Sequence, residues 1–253
     1  LISLSQQLRL DAISLRSGSQ PMRLYLIRHA DPDYPNNTIT ETGHLEARAL
    51  ADRLAAEGLD RIYVSPLGRA RDTMQYTVDK TGMSYEVEDW IQEIGGLSVE
   101  DEAMGKIAAW NVPGQVVRGS RPLPTAEDWN ARPPLDDPAF GEIYAKTRAN
   151  SDAFLARHGY VREGGAYRMV ARSTERIALF CHAGFGLTWL AHMLDLPLPL
   201  VWTGFFLAPS SVTTVLMEER SDELAVPRCL CVGDTSHLHA AGLPVTPSGI
   251  VAN

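Results

Sequence analysis

The chain has 253 residues, of which 45% are hydrophobic and 21% are charged, and its formal net charge is -8. This length allows one large α/β domain or two small ones with a substantial core. No apolar run approaches the ~20 residues that span a bilayer. Because nucleic acids and anionic membranes favour basic patches, the acidic balance argues against both as partners.

Strand-like and helix-like patterns alternate along the first part of the chain. They predict a buried strand over Arg23–Arg28, a helix from about His44 to Glu57, a strand over Arg61–Val64 and a helix from Leu67 to about Lys80. Tyr85–Val87 is a possible third strand. Residues 1–21 lack a signal-peptide pattern. Because Met22 precedes the first strand, we interpret them as a leader or tag-like extension, with a packed helix from about Leu8 to Leu15 as the alternative.

Residues 96–137 form the least regular region, which is proline-rich and contains Trp110 and Trp129. A long irregular segment of this kind is usually a functional lid or a disordered stretch. The two tryptophans, together with the anion site described below, favour a lid. Both are more often part of a lid core than platforms for substrate.

The second part of the chain returns to regular patterns. We expect an Asp137-capped helix from Pro138 to about Arg157, a hairpin of Tyr160–Glu163 and Ala166–Val170, a strand over Ile177–Cys181, a helix from Phe185 to Leu194, and strands over Val212–Met217 and Val226–Val232. The alternation predicts a three-layer α/β/α sandwich with a mostly parallel central sheet. Residues 22–253 would form this single domain, with residues 96–170 as an elaboration over the active site.

Cationic and imidazole side chains follow three of the predicted strands. Arg28 and His29 end the first strand, Arg69 follows the second, and His182 follows Ile177–Cys181. Ligands of open α/β sheets bind beyond the carboxyl ends of the strands. We therefore expect these four side chains to surround one anion.

The sequence around these residues resembles the histidine phosphatase superfamily, the phosphoglycerate-mutase-like group, in its first branch. The motifs are Leu26-Ile27-Arg28-His29-Ala30, Thr40-Glu41-Thr42-Gly43, Ser65-Pro66-Leu67-Gly68-Arg69-Ala70-Arg71-Asp72-Thr73, Cys181-His182-Ala183-Gly184 and Gly233-Asp234-Thr235-Ser236-His237-Leu238. Because they occur in the expected order from residue 24 to residue 238, the resemblance spans nearly the whole chain.

The resemblance implies a two-step reaction without a metal or another cofactor. His29 would attack phosphorus, and water would hydrolyse the resulting phosphohistidine. Arg28 and Arg69 would hold the phosphoryl oxygens, and their charges would disfavour protonation of His29. His182 would donate a hydrogen bond to the phosphoryl group in the transition state.

The resemblance also implies a carboxylic acid that protonates the leaving alkoxide. Glu93 matches best, but Glu88 and Asp89 remain open because one sequence does not fix the offset. Asp31 is a less favoured acid. A metal cluster of His29, Asp31 and Asp33 is disfavoured because no third imidazole lies at ligand spacing.

The remaining histidines and the cysteines have structural interpretations. We expect His192 to be packed, His237 to make a structural hydrogen bond, and His44, His158 and His239 to be exposed. Cys181, Cys229 and Cys231 are expected to be buried, reduced thiols. They indicate a cytoplasmic location. Asn36 and Asn37 could reach a phosphate, although loop asparagines usually serve turns.

The function that the sequence predicts is a phosphomonoester hydrolase that acts on a small phosphorylated metabolite. A phosphoglycerate-mutase-type phosphotransferase is the first alternative. The sequence departs from the mutase pattern, because Ala30 replaces a glycine and Asp31-Pro32-Asp33-Tyr34 replaces the usual Glu-Ser-x-x-Asn continuation. A non-catalytic phospho-ligand binding protein is the second alternative. The sequence indicates neither the substrate nor the oligomeric state.

Overall fold

The computed structural model describes residues 20–102, 104–119 and 121–249. The predicted leader over residues 1–21 therefore lies almost entirely outside the described residues, as does the alternative helix from Leu8 to Leu15. None of the helices in the described ranges combines the length and the apolar character that crossing a membrane requires.

Eight strands form the central sheet in the described part of the chain. They are β1 (Arg23–Arg28), β4 (Arg61–Val64), β5 (Glu86–Val87), β8 (Tyr160–Glu163), β9 (Ala166–Met169), β10 (Arg176–Cys181), β11 (Val212–Glu219) and β12 (Leu224–Asp234). Their order is β5-β4-β10-β1-β11-β12-β9-β8. Two short hairpins lie outside this sheet: β2 (Pro32–Asp33) with β3 (Thr38–Ile39), and β6 (Ser98–Asp101) with β7 (Gly105–Ala108).

The α/β class is confirmed, but the sheet is mixed where the sequence predicted a mostly parallel one. Strands β5, β4, β10 and β1 run parallel to one another. Every pairing from β1 outward through β11, β12, β9 and β8 is antiparallel. Short turns impose this direction on the β8–β9 and β11–β12 pairs, since parallel neighbours need a long crossover.

The four predicted helices are present within a few residues of their expected bounds, and three short helices that the sequence did not predict accompany them in the described chain. The helices are α1 (Glu41–Glu57), α2 (Gly68–Thr81), α3 (Gly114–Arg118), α4 (Pro138–Arg157), α5 (Ala183–Met193), α6 (Leu198–Trp202) and α7 (Ser236–Ala240). The Thr40 hydroxyl accepts a hydrogen bond from the backbone of Gly43 and caps α1. Asp137 caps α4 in the same way, as its position before a proline predicted.

Two apolar layers cover the faces of the sheet. Leu24 and Leu26 of β1 pack in one layer with Phe154 of α4 and Trp189 of α5. The alternate residues of β1, Tyr25 and Ile27, pack in the other layer with residues of α1 and α2, namely Leu50, Leu54, Ala70 and Met74. Because side chains alternate along a strand, this pattern gives the three-layer sandwich and fixes the ends of β1, β4 and β10.

Some predictions of exposure are wrong. His158, expected at the surface, is buried where the chain turns after α4, with its ring 3.2 Å from the Tyr63 hydroxyl and 2.9 Å from Glu175. Of the cysteines expected to be buried, Cys181 is buried, Cys229 is half-buried and Cys231 is exposed. The last two lie on the part of β12 beyond its pairing with β9.

His237 supplies a prediction about stability. It is buried, and its Nε2 lies 3.1 Å from the Ser210 hydroxyl. Burial, and then the charge of Arg53, lowers the pKa of His237 to about 4, although Asp234 opposes the shift. A histidine in the unfolded chain titrates near pH ~6.5. Between these values the unfolded state takes up the proton and the folded state does not, so the free energy of unfolding falls as the pH decreases.

Urea unfolding of the wild type and of His237→Gln at pH 7 and pH 5 measures this contribution. We expect the variant to lose less stability between the two pH values than the wild type does. Equal losses in the two proteins would show that His237 does not contribute to the pH dependence.

Candidate active site

The parallel half of the sheet brings the predicted anion-binding residues to one edge. Arg28 is the last residue of β1 and His29 follows it, whereas His182 follows β10 directly and Arg69 lies in the first turn of α2, after β4. The rings of His29 and His182 are 5.1 Å apart, centre to centre. Arg28, His29, Arg69 and Glu93 line one cavity of about 480 Å³.

His29 is held as a neutral imidazole. Its Nδ1 lies 2.8 Å from the carbonyl oxygen of Ala30, and because that oxygen only accepts, Nδ1 carries the proton. Burial lowers the pKa of His29 well below its usual value, and the charges of Arg28 and Arg69 lower it further. The Nε2 lone pair is therefore available near neutral pH, as a nucleophile requires.

The two arginines retain hydrogen-bond donors for a ligand. Arg28 is buried, and its Nη1 donates to the carbonyl of Leu207 at 2.6 Å. Arg69 donates from Nη1 to Asn37 at 3.1 Å and packs over the ring of Tyr34. The Nε atoms of both arginines are buried without a hydrogen-bond partner among the described residues. Buried donors of this kind are expected to have partners, and an anion in the cavity would supply them.

His182 is oriented by Ser65, a residue that the sequence marked only as part of a motif. The ring Nε2 of His182 lies 2.8 Å from the hydroxyl of Ser65, which is itself fully buried just after β4. The other ring nitrogen, Nδ1, is buried without a partner among the described residues. Burial, followed by the proximity of His29, lowers the pKa of His182 well below its usual value. If Ser65 donates to Nε2, the neutral ring carries its proton on Nδ1 and could donate it to an anion.

Of the four candidate acids, Glu93 is the one that lines the cavity in the described structure. Its carboxylate accepts hydrogen bonds from the backbone N–H groups of Phe185 at 2.8 Å, Ile94 at 3.1 Å and Gly184 at 3.2 Å. Burial raises the pKa of Glu93, although these amide hydrogen bonds oppose the shift. A carboxyl group with a raised pKa is suited to donating a proton.

None of the other three candidate acids lines the cavity in the described part of the chain. Glu88 forms an ion pair with Arg157 at 2.5 Å. Asp89 is exposed. Asp31 accepts hydrogen bonds from the hydroxyls of Thr40 and Ser248.

Several residues at the cavity were not singled out for this place by the sequence. Tyr34 lies edge-on to His29, with ring centres 6.3 Å apart. Asn37 serves a turn at φ 52°, as predicted, and its side-chain oxygen accepts the hydrogen bond from Arg69. Gly249, near the end of the described chain, lies against the Arg28 guanidinium. No local pattern marks the contacts of Asn37 and Gly249, because they join distant segments.

The irregular region supplies part of the cavity wall. Trp110 and Asn111 line the cavity, whereas Trp129 is buried against Tyr144 and Trp202. The sequence predicted residues 96–170 as an elaboration over the active site. The later part of this segment, from Pro138 onward, belongs to the sandwich itself, because α4 packs on the sheet and β8 and β9 extend the sheet.

The position of the Glu93 carboxylate requires a glycine, Gly184, at the start of α5. A Cβ atom at Gly184 would lie 2.8 Å from Oε1 of Glu93 and 2.6 Å from a ring carbon of Trp110. We expect Gly184→Ala to displace the carboxylate and to lower kcat about 10- to 100-fold, since small misplacements of reacting groups are costly. Gly95→Ala is the matched control, because a Cβ there meets no atom within 4 Å. Equal kcat values for the two variants would contradict the assigned position of Glu93.

Residues 24–228 match the family model of the histidine phosphatase superfamily, branch 1. The chain belongs to this superfamily. Among curated proteins, the chain is 27% identical over 112 residues to a probable phosphoglycerate mutase, GpmB, of Photorhabdus laumondii. That match covers 37% of the chain and 52% of the relative, so the chain spans about half the length of the relative.

Solved structures share the histidine phosphatase fold. A phosphoserine phosphatase of Entamoeba histolytica in complex with 3-phosphoglyceric acid has a TM-score of 0.57 at 16% identity, and covers 86% of this chain and 99% of its own. A mycobacterial glucosyl-3-phosphoglycerate phosphatase has a TM-score of 0.54 at 20% identity, and covers 83% of this chain and 97% of its own. At these identities the likeness shows the fold alone.

Proposed function

We propose that this histidine phosphatase superfamily member is a phosphomonoester hydrolase that acts through a phosphohistidine at His29 on a small phosphorylated metabolite. The observation that carries the proposal is the state of His29. The imidazole is buried and neutral, and its Nδ1 proton is hydrogen-bonded to the carbonyl oxygen of Ala30. It lies beside Arg28 and Arg69, whose Nε donors have no partner among the described residues.

In the first step, Nε2 of His29 forms a bond to phosphorus while the bond from phosphorus to the ester oxygen breaks. Arg28 and Arg69 hold the phosphoryl oxygens, and His182 donates from Nδ1 as charge moves onto them. The carboxylic acid of Glu93 gives its proton to the leaving oxygen. The step releases an alcohol and leaves Glu93 ionised.

In the second step, the Glu93 carboxylate takes a proton from water as the water oxygen attacks phosphorus. The bond from Nε2 to phosphorus breaks, inorganic phosphate leaves and His29 is again neutral. Both steps use groups of this chain. We therefore retain the expectation that turnover needs no metal or other cofactor. The expectations of a cytoplasmic location and of no nucleic-acid or membrane partners rest separately on the cysteines and on the net charge of -8.

The alternative of a phosphotransferase differs in the acceptor of the second step, which would be a hydroxyl group of the substrate instead of water. The match to a probable phosphoglycerate mutase favours it. The departures at Ala30 and Asp31-Pro32-Asp33-Tyr34 argue against it.

The test is the fate of the phosphoryl group, measured on p-nitrophenyl phosphate and a panel of phosphorylated metabolites with and without EDTA. We expect inorganic phosphate to appear in equal amount to the alcohol product, and EDTA to have no effect. Interconversion of 3- and 2-phosphoglycerate without phosphate release would support the mutase alternative. Binding of phosphorylated compounds without either reaction would support the non-catalytic alternative.

A further inference from the structure

Aromatic rings make up much of the cavity lining outside the phosphoryl-binding groups. These rings belong to Tyr34, Trp110, Trp202, Phe205 and Phe206. Phe205 and Phe206 are 42% and 36% exposed although they are large apolar side chains. The exposed apolar surface at the mouth of the cavity is therefore available to a ligand.

Apart from the phosphoryl-binding arginines and Glu93, the cavity lining carries no charged side chain among the described residues. Among the described residues that line the cavity, the arginines are Arg28 and Arg69, no lysine is present, and Glu93 is the acid. The other polar side chains are those of His29, Tyr34, Asn111 and Trp110, whereas the indole N–H of Trp202 donates to the Thr188 hydroxyl at 2.9 Å. The nearby Arg118 does not line the cavity, and its Nη2 donates to the carbonyl of Thr203 at 3.1 Å.

Both arginines of the cavity are assigned to the phosphoryl group. Among the described residues, the cavity lining holds no third arginine and no lysine that could pair with another anionic group. A second anionic group on the substrate would therefore lose hydration water on entering the cavity and would find no cation there to pair with. It would also share the cavity with the Glu93 carboxyl. Apolar or aromatic groups would instead bury area against the rings.

We propose that the leaving group of the substrate is a small, uncharged alcohol with an apolar or aromatic body. This inference rests on the proposed function and narrows its substrate class. It excludes carboxylated substrates, which include phosphoserine and 3-phosphoglyceric acid, the ligands named for the structural neighbours.

The experiment compares kcat/KM for benzyl phosphate and 4-carboxybenzyl phosphate. The two compounds share a benzylic leaving oxygen and differ in one remote charge. We expect benzyl phosphate to be preferred about 100-fold, because the charged ring enters a wall without a counterion. Glycerol 3-phosphate and 3-phosphoglycerate form a second pair, in which the carboxylate is again expected to lower kcat/KM.

A charge introduced into the wall tests the cause of the preference. Phe205→Arg places a cation at the mouth of the cavity, and we expect it to reduce the preference for benzyl phosphate at least about tenfold. Arg118→Gln is the control, because it removes a cation outside the lining and should leave the preference unchanged. Circular dichroism verifies that both variants are folded.

The outcomes separate the two proposals. If the wild type hydrolyses both benzyl compounds with kcat/KM values within about threefold of each other, the proposal of an uncharged leaving group is overturned. The proposal that the protein is a phosphatase then still stands. If folded wild type hydrolyses neither these esters nor p-nitrophenyl phosphate, both proposals are overturned.

Discussion

Replacing His29 with asparagine is expected to lower kcat for phosphate release by at least about 10⁴-fold, the scale seen when a catalytic nucleophile is removed. Asparagine is polar and similar in size, but its amide has no nucleophilic nitrogen comparable to the imidazole Nε2. Because Arg28 and Arg69 are unchanged, the affinity for inorganic phosphate should change only a few-fold. The measurements are phosphate release from p-nitrophenyl phosphate and calorimetric titration with phosphate.

His239→Asn is the matched control, since His239 is an exposed histidine outside the cavity lining. We expect it to retain the wild-type kcat. If folded His29→Asn kept more than about a tenth of the wild-type rate, His29 would not be the nucleophile. Loss of both turnover and phosphate binding would instead point to damage to the arginine site.

Replacing Glu93 with glutamine is expected to slow the hydrolysis of benzyl phosphate about 10²- to 10³-fold, the usual contribution of a general acid. On p-nitrophenyl phosphate the first step, followed as the initial burst of nitrophenolate, should change far less, because nitrophenolate leaves without a proton. Hydrolysis of the phosphoenzyme should slow with either substrate, because Glu93 is the base of the second step. Glu88→Gln is the control, since Glu88 pairs with Arg157 outside the cavity. Equal losses in the rate of the first step on both substrates would indicate that Glu93 positions α5 through its three backbone hydrogen bonds and does not protonate the leaving group.

The pH dependence provides a second readout for Glu93. The acid must be protonated in the first step, so the rate on benzyl phosphate should decline as the pH rises through the pKa of Glu93, which burial raises above its usual value. Glu93→Gln should lack this decline. On the acid side, His29 must stay neutral, and its lowered pKa keeps it neutral to well below pH ~6.5.

Much of the fold could be predicted because its signals are local. Apolar runs identified β1, β4 and β10, and the Asp137-Pro138 pair identified the start of α4. The candidate anion site followed from the same patterns, since parallel strands end at one edge of a sheet. Ser65, the first residue of its motif, is the hydrogen-bond partner of His182, but this role was identified only from the structure.

The features that were not predicted depend on distant contacts. Ser248 binds Asp31 and Thr246 binds Glu46, across 217 and 200 residues of sequence, and Gly249 reaches Arg28 beside them. The burial of His158 depends in the same way on Tyr63 and Glu175. The antiparallel direction of β11 and β12 depends on turn length and sheet order, which apolar patterns alone do not encode.

The measurement that tests the phosphohistidine mechanism most directly is the trapping of the phosphoenzyme. Wild-type protein would be mixed with radiolabelled substrate, quenched in alkali within the first turnover, digested and analysed by mass spectrometry. We predict one phosphoryl group on His29, stable in alkali, released by acid and missing from His29→Asn. Steady turnover with no phosphoryl group on the protein, or with the group on a residue other than His29, would contradict the mechanism.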